Sequence, residues 1–228
     1  MDIVYTLSQN YAGEELKYSL RSLVNLPHDK VFFVGGCPKW AKDIIHIPTN
    51  QTGTKYKNTT YNLKTVCQDE RISDDFIFMN DDFFILENTT PEDLNAYDGT
   101  VQSNIDRLNK KGGSAYCRGA EDTQKLIKSL GIDTPLSYEL HIPFIFNKQK
   151  FLEMLDIKGA LDIPCLHKRT LYGNLYLKGG KDMRDVKIFP YSGFCGKTGQ
   201  FLSCSNDGFP CVAEFLKKKF PNKSVYEF

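Results

Sequence analysis

Apolar and polar positions change period in blocks along the first 85 residues. Residues 3–7, Ile3-Val4-Tyr5-Thr6-Leu7, are a short β-branched and aromatic run with the pattern of a strand. Across 14–25, Leu16, Leu20, Leu23 and Val24 recur at helical spacing until Asn25 and Pro27 close the helix. Residues 31–34 read as a second strand, stopped by Gly35-Gly36 and Pro38, and 43–47 as a weaker third. A polar loop over 49–58 leads into a predicted helix over 60–70, with Leu63, Val66 and Cys67 on one face. The strand 76–80 follows. Alternation of this kind predicts βαβ units and an α/β fold, a mostly parallel central sheet flanked by helices.

The second half reads differently. Thr90-Pro91-Glu92-Asp93 combines a capping residue, a first-turn proline and an acid three residues on, a helix start. Residues 98–118 are polar and rich in Gly and Lys, so an irregular excursion is expected there; Arg107, Lys110 and Lys111 form its basic part. Helices are predicted over 121–130, 148–155, 166–177 and 211–219, the last carrying a solvated Lys217-Lys218-Lys219 face. The C-terminal half is therefore expected to be helix-rich and packed on the first-half sheet.

Composition narrows the class. A chain of 228 residues with 41% hydrophobic and 13% aromatic content can bury a sizeable core, and 1–228 fits a single domain. A formal net charge of +1 is no footprint for a polyanion binder, which disfavours a nucleic acid as partner. Seven cysteines are odd in number and contain no CxxC pair, so zinc-ribbon and thioredoxin readings fail and reduced thiols in the cytoplasm are expected. The opening strand leaves no room for a signal peptide, and no apolar run approaches the roughly 20 residues of a transmembrane helix.

The chemistry concentrates at Asp75-Phe76-Ile77-Phe78-Met79-Asn80-Asp81-Asp82-Phe83-Phe84. A continuous apolar strand runs straight into two carboxylates, at the strand end where α/β sheets bind ligands. Two acids beside so much apolar surface need a cation, a proton or hydrogen bonds. A divalent metal carrying a diphosphate meets that need; an Asp-rich turn accounts for the same residues. The phosphate loop GxxxxGK[ST], the nucleophile elbow GxSxG and the zinc motif HExxH are absent.

Several blocks, in order, resemble those of the Stealth family. Asp2-Ile3-Val4-Tyr5-Thr6 is similar to its D-V-V-Y-T, and Glu15-Leu16-Lys17-Tyr18-Ser19-Leu20-Arg21-Ser22 to its E-L-R-Y-S-L-R-S. The strand at 31–34 with Pro38-Lys39-Trp40 continues the match, and residues 76–84 resemble F-I-Y-x-N-D-D-x-F. His141-Ile142-Pro143 with Arg169 looks like the third block, and 201–207 with Phe220-Pro221-Asn222-Lys223-Ser224-Val225-Tyr226-Glu227 like the fourth. Leu7-Ser8-Gln9-Asn10 departs from the family's W-V-[DN]-G, and Ser205 stands where the fourth block has Leu. The resemblance implies a GT-A-like fold and transfer of a sugar-1-phosphate from a UDP-sugar to a hydroxyl, probed against ordinary glycosyl transfer at the anomeric carbon and against a non-catalytic binding module as alternatives.

Roles follow from that resemblance. Asp81 and Asp82 would hold Mg²⁺ or Mn²⁺, with Asp81 or His141 taking the proton of an acceptor hydroxyl, a glycan above all. Arg169 would stabilise charge on the transferring group, and Arg21 would bind nucleotide or phosphate. Tyr5, Thr6 and Asn80 lie where base and ribose would sit, and Asp207, with Asn206, would add a metal or substrate contact. Without the resemblance, a lone histidine such as His141 reads as structural and Arg169 as a solvated helix face. His167 is the rival histidine; His28 and His46 carry no expected chemistry.

Overall fold

The computed structural model describes residues 1–110 and 112–228. Strand β1 (Asp2–Leu7), helix α1 (Glu15–Ser22, extended by a 3₁₀ turn over Leu23–Asn25), β2 (Val31–Gly35), β3 (Ile45–Ile47), α2 (Lys55–Gln68) and β4 (Asp75–Met79) come first. β5 (Phe83–Ile85), β6 (Ala96–Tyr97), α3 (Val101–Asn109), α4 (Ala115–Ser129), β7 (Phe144–Asn147) and α5 (Lys148–Leu155) follow. α6 (Lys168–Tyr172) runs into a π turn over Gly173–Leu177, and β8 (Lys181–Asp182), β9 (Lys187–Ile188), β10 (Phe201–Cys204) and α7 (Phe209–Lys219) complete the order.

The central sheet has the order β3-β2-β1-β4-β7, with the first four strands parallel and β7 antiparallel to β4. The middle positions of β1, β2 and β4 are apolar because both faces of the sheet are covered there. Ile3, Tyr5, Phe33, Ile77 and Met79 share one core with Leu16 and Leu20 of α1. Val4, Phe32, Val34, Phe76 and Phe78 share the other with Leu63 and Val66 of α2 and Phe151 of α5. Each such side chain contributes about 1.5–3 kcal/mol through burial. No helix among the described residues is long and apolar enough to cross a membrane.

The second half is richer in strands than its pattern suggests. Phe144 and Phe146 of β7 pack among Phe76, Phe78 and Tyr172, so the four-residue run before α5 extends the main sheet. β5, β10 and β9 make a second sheet, in which Ser203 lies opposite both Phe83 and Lys187. Its outer face packs Phe84, Leu202 and Cys204 against Val212 and Leu216 of α7.

Helix starts also moved. Thr54 accepts from the Lys57 amide and Ser114 from the Cys117 amide, so α2 and α4 begin well before their apolar periods. The expected irregular stretch at 98–118 contains α3, whose Val101 and Ile105 pack on Cys117 and Ala120. Thr90 opens only a 3₁₀ turn over Pro91–Leu94. Arg107 pairs with Asp98 at 2.8 Å, and Lys111 lies outside the described residues.

Candidate active site

β4 ends at the carboxyl edge of the sheet, and the Phe83 amide donates to the Asn80 carbonyl at 3.3 Å, closing a turn that presents Asp81 and Asp82. The turn is pinned from α1. Ser19 Oγ donates to the Phe83 carbonyl at 2.7 Å and shares a 2.9 Å hydrogen bond with the Tyr5 hydroxyl. Ser22 Oγ, one helical turn on, accepts from the Ile85 amide at 3.0 Å. The turn and the acid pair are thus one feature, held in place by two serines of a single helix face.

Charge on this turn is poorly balanced. Asp82 is 8% exposed; Lys187 Nζ donates to its Oδ2 at 2.8 Å, while its Oδ1 is buried without a hydrogen-bond partner among the described residues. Burial first, and then the neighbouring charge of Asp82, raise the half-buried Asp81 carboxyl to about 7, although a hydrogen bond from the Tyr11 hydroxyl opposes the rise. Glu15 is buried and adds negative charge against Asp81. Burial and these acids also push the Tyr11 hydroxyl and the Cys204 thiol up. A buried carboxylate oxygen without a partner, amid surplus negative charge, suits a cation. Among the described residues, no group of three or more His, Cys, Asp or Glu side chains is arranged to hold an ion. The pair therefore fits Mg²⁺ or Mn²⁺ that draws its remaining oxygens from water and a diphosphate, and does not fit a closed protein cage.

The antiparallel pairing of Phe78 with Phe144 brings the residues before β7 to this same edge. There His141 Nδ1 donates to Asp185 Oδ2 at 2.8 Å. The backbone amides of His141 and Val186 both donate to Asp185 Oδ1, each at 2.9 Å. An ionised carboxylate only accepts, so Nδ1 carries a proton, and in the neutral imidazole this tautomer leaves the lone pair on Nε2. Burial alone would raise the Asp185 carboxyl, but its bonds to His141 hold it below the ordinary range. The His141 ring stands edge-on to Phe83 at 6.2 Å, beside the residue that follows Asp82.

Other expected site residues fall elsewhere or act differently. Arg169 is buried, bonded to Glu139 Oε2 through Nη2 and Nε at 3.1 and 3.3 Å and to the Leu140 carbonyl, and lies 5.8 Å over Phe83. Burial alone would raise the Glu139 carboxyl, but Arg169, His167 and Lys168 hold it down to about 2. Arg169 thus braces the chain leading to His141, with Nε, Nη1 and Nη2 each engaged there. Arg21 makes a two-pronged pair with Glu227, 2.8 Å on each arm, and bonds the Phe220 carbonyl. It clamps the C-terminal tail instead of a phosphate. Tyr5 is fully buried, its hydroxyl on Ser19 and its ring edge-on to Phe33, so it offers no face to a base.

Thr6 and Asn80 are half-buried at the carboxyl edge, one residue beyond the Tyr5–Met79 pair. Asp207 is exposed on the 3₁₀ turn Asn206–Gly208 and joins no three-ligand group among the described residues. His167 is buried with its ring on the Tyr116 carbonyl, and burial lowers its pKa. His28 and His46 bond backbone carbonyls. A cavity of about 460 Å³ between α1 and the tail is lined by Leu20, Val24, His28, Phe220 and Tyr226, without Asp81, Asp82 or His141.

Tyr11, Glu15, Glu139, Asp185 and Lys187 complete the site, and none was singled out from sequence. Glu15 and Glu139 sit inside the E-L-K-Y-S and Tyr138-Glu139-Leu140-His141 strings, a usable signal. Asp185 and Lys187 lie in a stretch without periodicity, and nothing in the sequence couples them to residues about 44 and 105 positions away.

A parallel sheet ordered β3-β2-β1-β4, extended by an antiparallel strand and carrying acids after β4, defines a GT-A-like fold. Solved glycosyltransferases share it. The galactosyltransferase LgtC, in complex with donor and acceptor sugar analogues, superposes with a TM-score of 0.56 over 99% of this chain and 97% of that one, at 13% identity. An active-site mutant of LgtC superposes with a TM-score of 0.52 over 96% and 95%, at 15% identity. Identities this low establish a common fold. No protein-family profile matches the sequence, and no curated protein does.

Proposed function

We propose that residues 1–228 act as one nucleotide-sugar-dependent transferase domain that passes a sugar from a UDP-sugar to an acceptor hydroxyl, a glycan hydroxyl in the first instance. The observation that carries this reading is the buried, under-partnered acid pair at the carboxyl edge of β4. Asp81 and Asp82 would hold Mg²⁺ or Mn²⁺, which when bound offsets the charge of the donor diphosphate and of the leaving nucleotide. Thr6 and Asn80 line the carboxyl edge of the sheet and would contact the nucleoside. His141, with Nε2 free to accept and Nδ1 fixed on Asp185, takes the proton of the acceptor hydroxyl. Arg169 and Glu139 keep that histidine in place. All seven cysteines are free, which supports a reducing compartment such as the cytoplasm.

Attack at the anomeric carbon, with UDP leaving, is the form we favour. The alternative is attack at the sugar-linked phosphorus with UMP leaving, as the Stealth-like order of blocks implies, and the His141–Asp185 pair beside the acids suits it equally. Arg169 weighs against it, because Nε, Nη1 and Nη2 each already donate to Glu139 or the Leu140 carbonyl, which ties the guanidinium to the chain before His141. The test is the nucleotide product. The full chain is incubated with Mn²⁺, a panel of UDP-sugars and hydroxyl acceptors, and the released nucleotide is separated by ion-pair chromatography. UDP supports glycosyl transfer and UMP sugar-phosphate transfer; neither product across the panel overturns both.

A further inference from the structure

Asp82 is held by a lysine that the scheme above does not use. Lys187 Nζ and Asp82 Oδ2 are 2.8 Å apart, and the two side chains are only 16% and 12% exposed. Lys187 enters from β9 opposite Ser203, which lies opposite Phe83, so the three form one row across the small sheet and the lysine reaches the acid beside Phe83. Two buried polar atoms at this row, Ser203 Oγ in it and Asp82 Oδ1 beside it, lack hydrogen-bond partners among the described residues. An ammonium has three donors, and the hydrogen bond described for Lys187 uses one of them. As a stability device this is poor, since a buried ion pair repays its desolvation only when its remaining valences are filled. As a binding device it is coherent. The acid keeps one oxygen for a cation, and the lysine keeps donors for an anion.

We propose that Lys187 is a donor-binding residue that neutralises Asp82 in the free protein and moves onto the donor diphosphate when a divalent cation takes Asp82. The proposal rests on the reading of Asp81 and Asp82 as a cation site. Lys187 and the cation are then alternative partners of Asp82, so they compete while no nucleotide is bound. With a diphosphate present the lysine gains an anionic partner and the cation gains oxygen ligands, so the two cooperate. A lysine suits this exchange because it acts as a mobile point charge on a flexible stem, where an arginine would hold its acid in a fixed fork.

The experiment measures binding without turnover. Mn²⁺ is titrated into the full chain without nucleotide, and UDP into the Mn²⁺-saturated chain, for the wild type and for Lys187→Met, both by calorimetry. The expected result is opposite in sign for the two ligands: Lys187→Met binds Mn²⁺ about fivefold or more tightly and binds UDP about tenfold more weakly. Unchanged UDP binding, or Mn²⁺ binding that is unchanged or weaker, overturns the proposal and leaves a structural ion pair. If Lys187→Met shows no cooperative thermal transition, Lys187→Gln supplies the same two readouts. Wild-type protein that binds neither Mn²⁺ nor UDP defeats the cation-site reading and this proposal with it. Wild-type protein that binds both, with Lys187→Met indistinguishable from it, defeats the proposal alone.

Discussion

Asp81 illustrates how two adjacent carboxylates set a pH response. Burial and Asp82 lift its folded value to about 7, above the ordinary 3.8. The group's contribution to stability is therefore full below the ordinary value and is lost as pH rises towards 7. Metal-free protein should melt progressively lower across that window, and Asp81→Asn should flatten the slope in calorimetric scans. Cation binding runs the other way, because it needs the carboxylate and releases the proton. Mn²⁺ affinity should climb steeply with pH, by up to about tenfold per unit, until it levels near 7. A pH-independent affinity in the wild type would falsify this assignment. Asp185 sets a second residue-scale prediction. Its Oδ1 accepts from two backbone amides, so in Asp185→Asn the oxygen stays there and the amide nitrogen faces His141 Nδ1. That donor forces the ring proton to Nε2 and removes the acceptor the reaction needs. We expect kcat to fall about 10²–10⁴-fold with little change in melting temperature. Imidazole ¹⁵N shifts should show the tautomer change; an unaltered tautomer with full activity rejects the role.

At the scale of elements, α1 does the work of a bracket. Its Ser19 and Ser22 fix the acid turn and β5, and its Arg21 fixes the tail through Glu227. Arg21→Ala leaves Glu227, whose side chain is 4% exposed, without its counter-charge. The expected loss is about 2–4 kcal/mol in urea unfolding, with UDP affinity of the folded fraction unchanged. Lost UDP affinity at unchanged stability would instead restore a nucleotide-binding role. The same helix shows what sequence patterns reveal and what they hide. Leu16, Leu20 and Leu23 at helical spacing announce α1, but its arginine reads from sequence as a nucleotide or phosphate ligand, and the carboxylate that takes it lies 206 positions away. β7 was hidden because four residues, Phe144-Ile145-Phe146-Asn147, are too few to separate a strand from the lead-in to a helix. α3 was hidden by its polar surroundings, although Val101, Ile105 and Leu108 carry a helical period.

For the molecule as a whole, ligand binding should register as stability. UDP with Mn²⁺ at about a hundred times its dissociation constant adds about 2.7 kcal/mol. For a chain of 228 residues that corresponds to roughly 5–10 °C in Tm. Scanning calorimetry should show the shift with Mn²⁺ and lose it with EDTA; UDP that stabilises equally in EDTA removes the cation from the scheme. The sequence by itself determined the parallel α/β frame, because strands buried on both faces must be apolar throughout and helices between them must show a 3.6-residue period. It also determined where the acids stand, because a strand end is local. Only the tertiary structure decided what surrounds them. Lys187 reaches Asp82, Asp185 holds His141, and Arg169 and Arg21 are committed to Glu139 and Glu227. A charge on a sequence has no partner until folding supplies one, and the partner decides whether that charge binds a ligand or braces the fold.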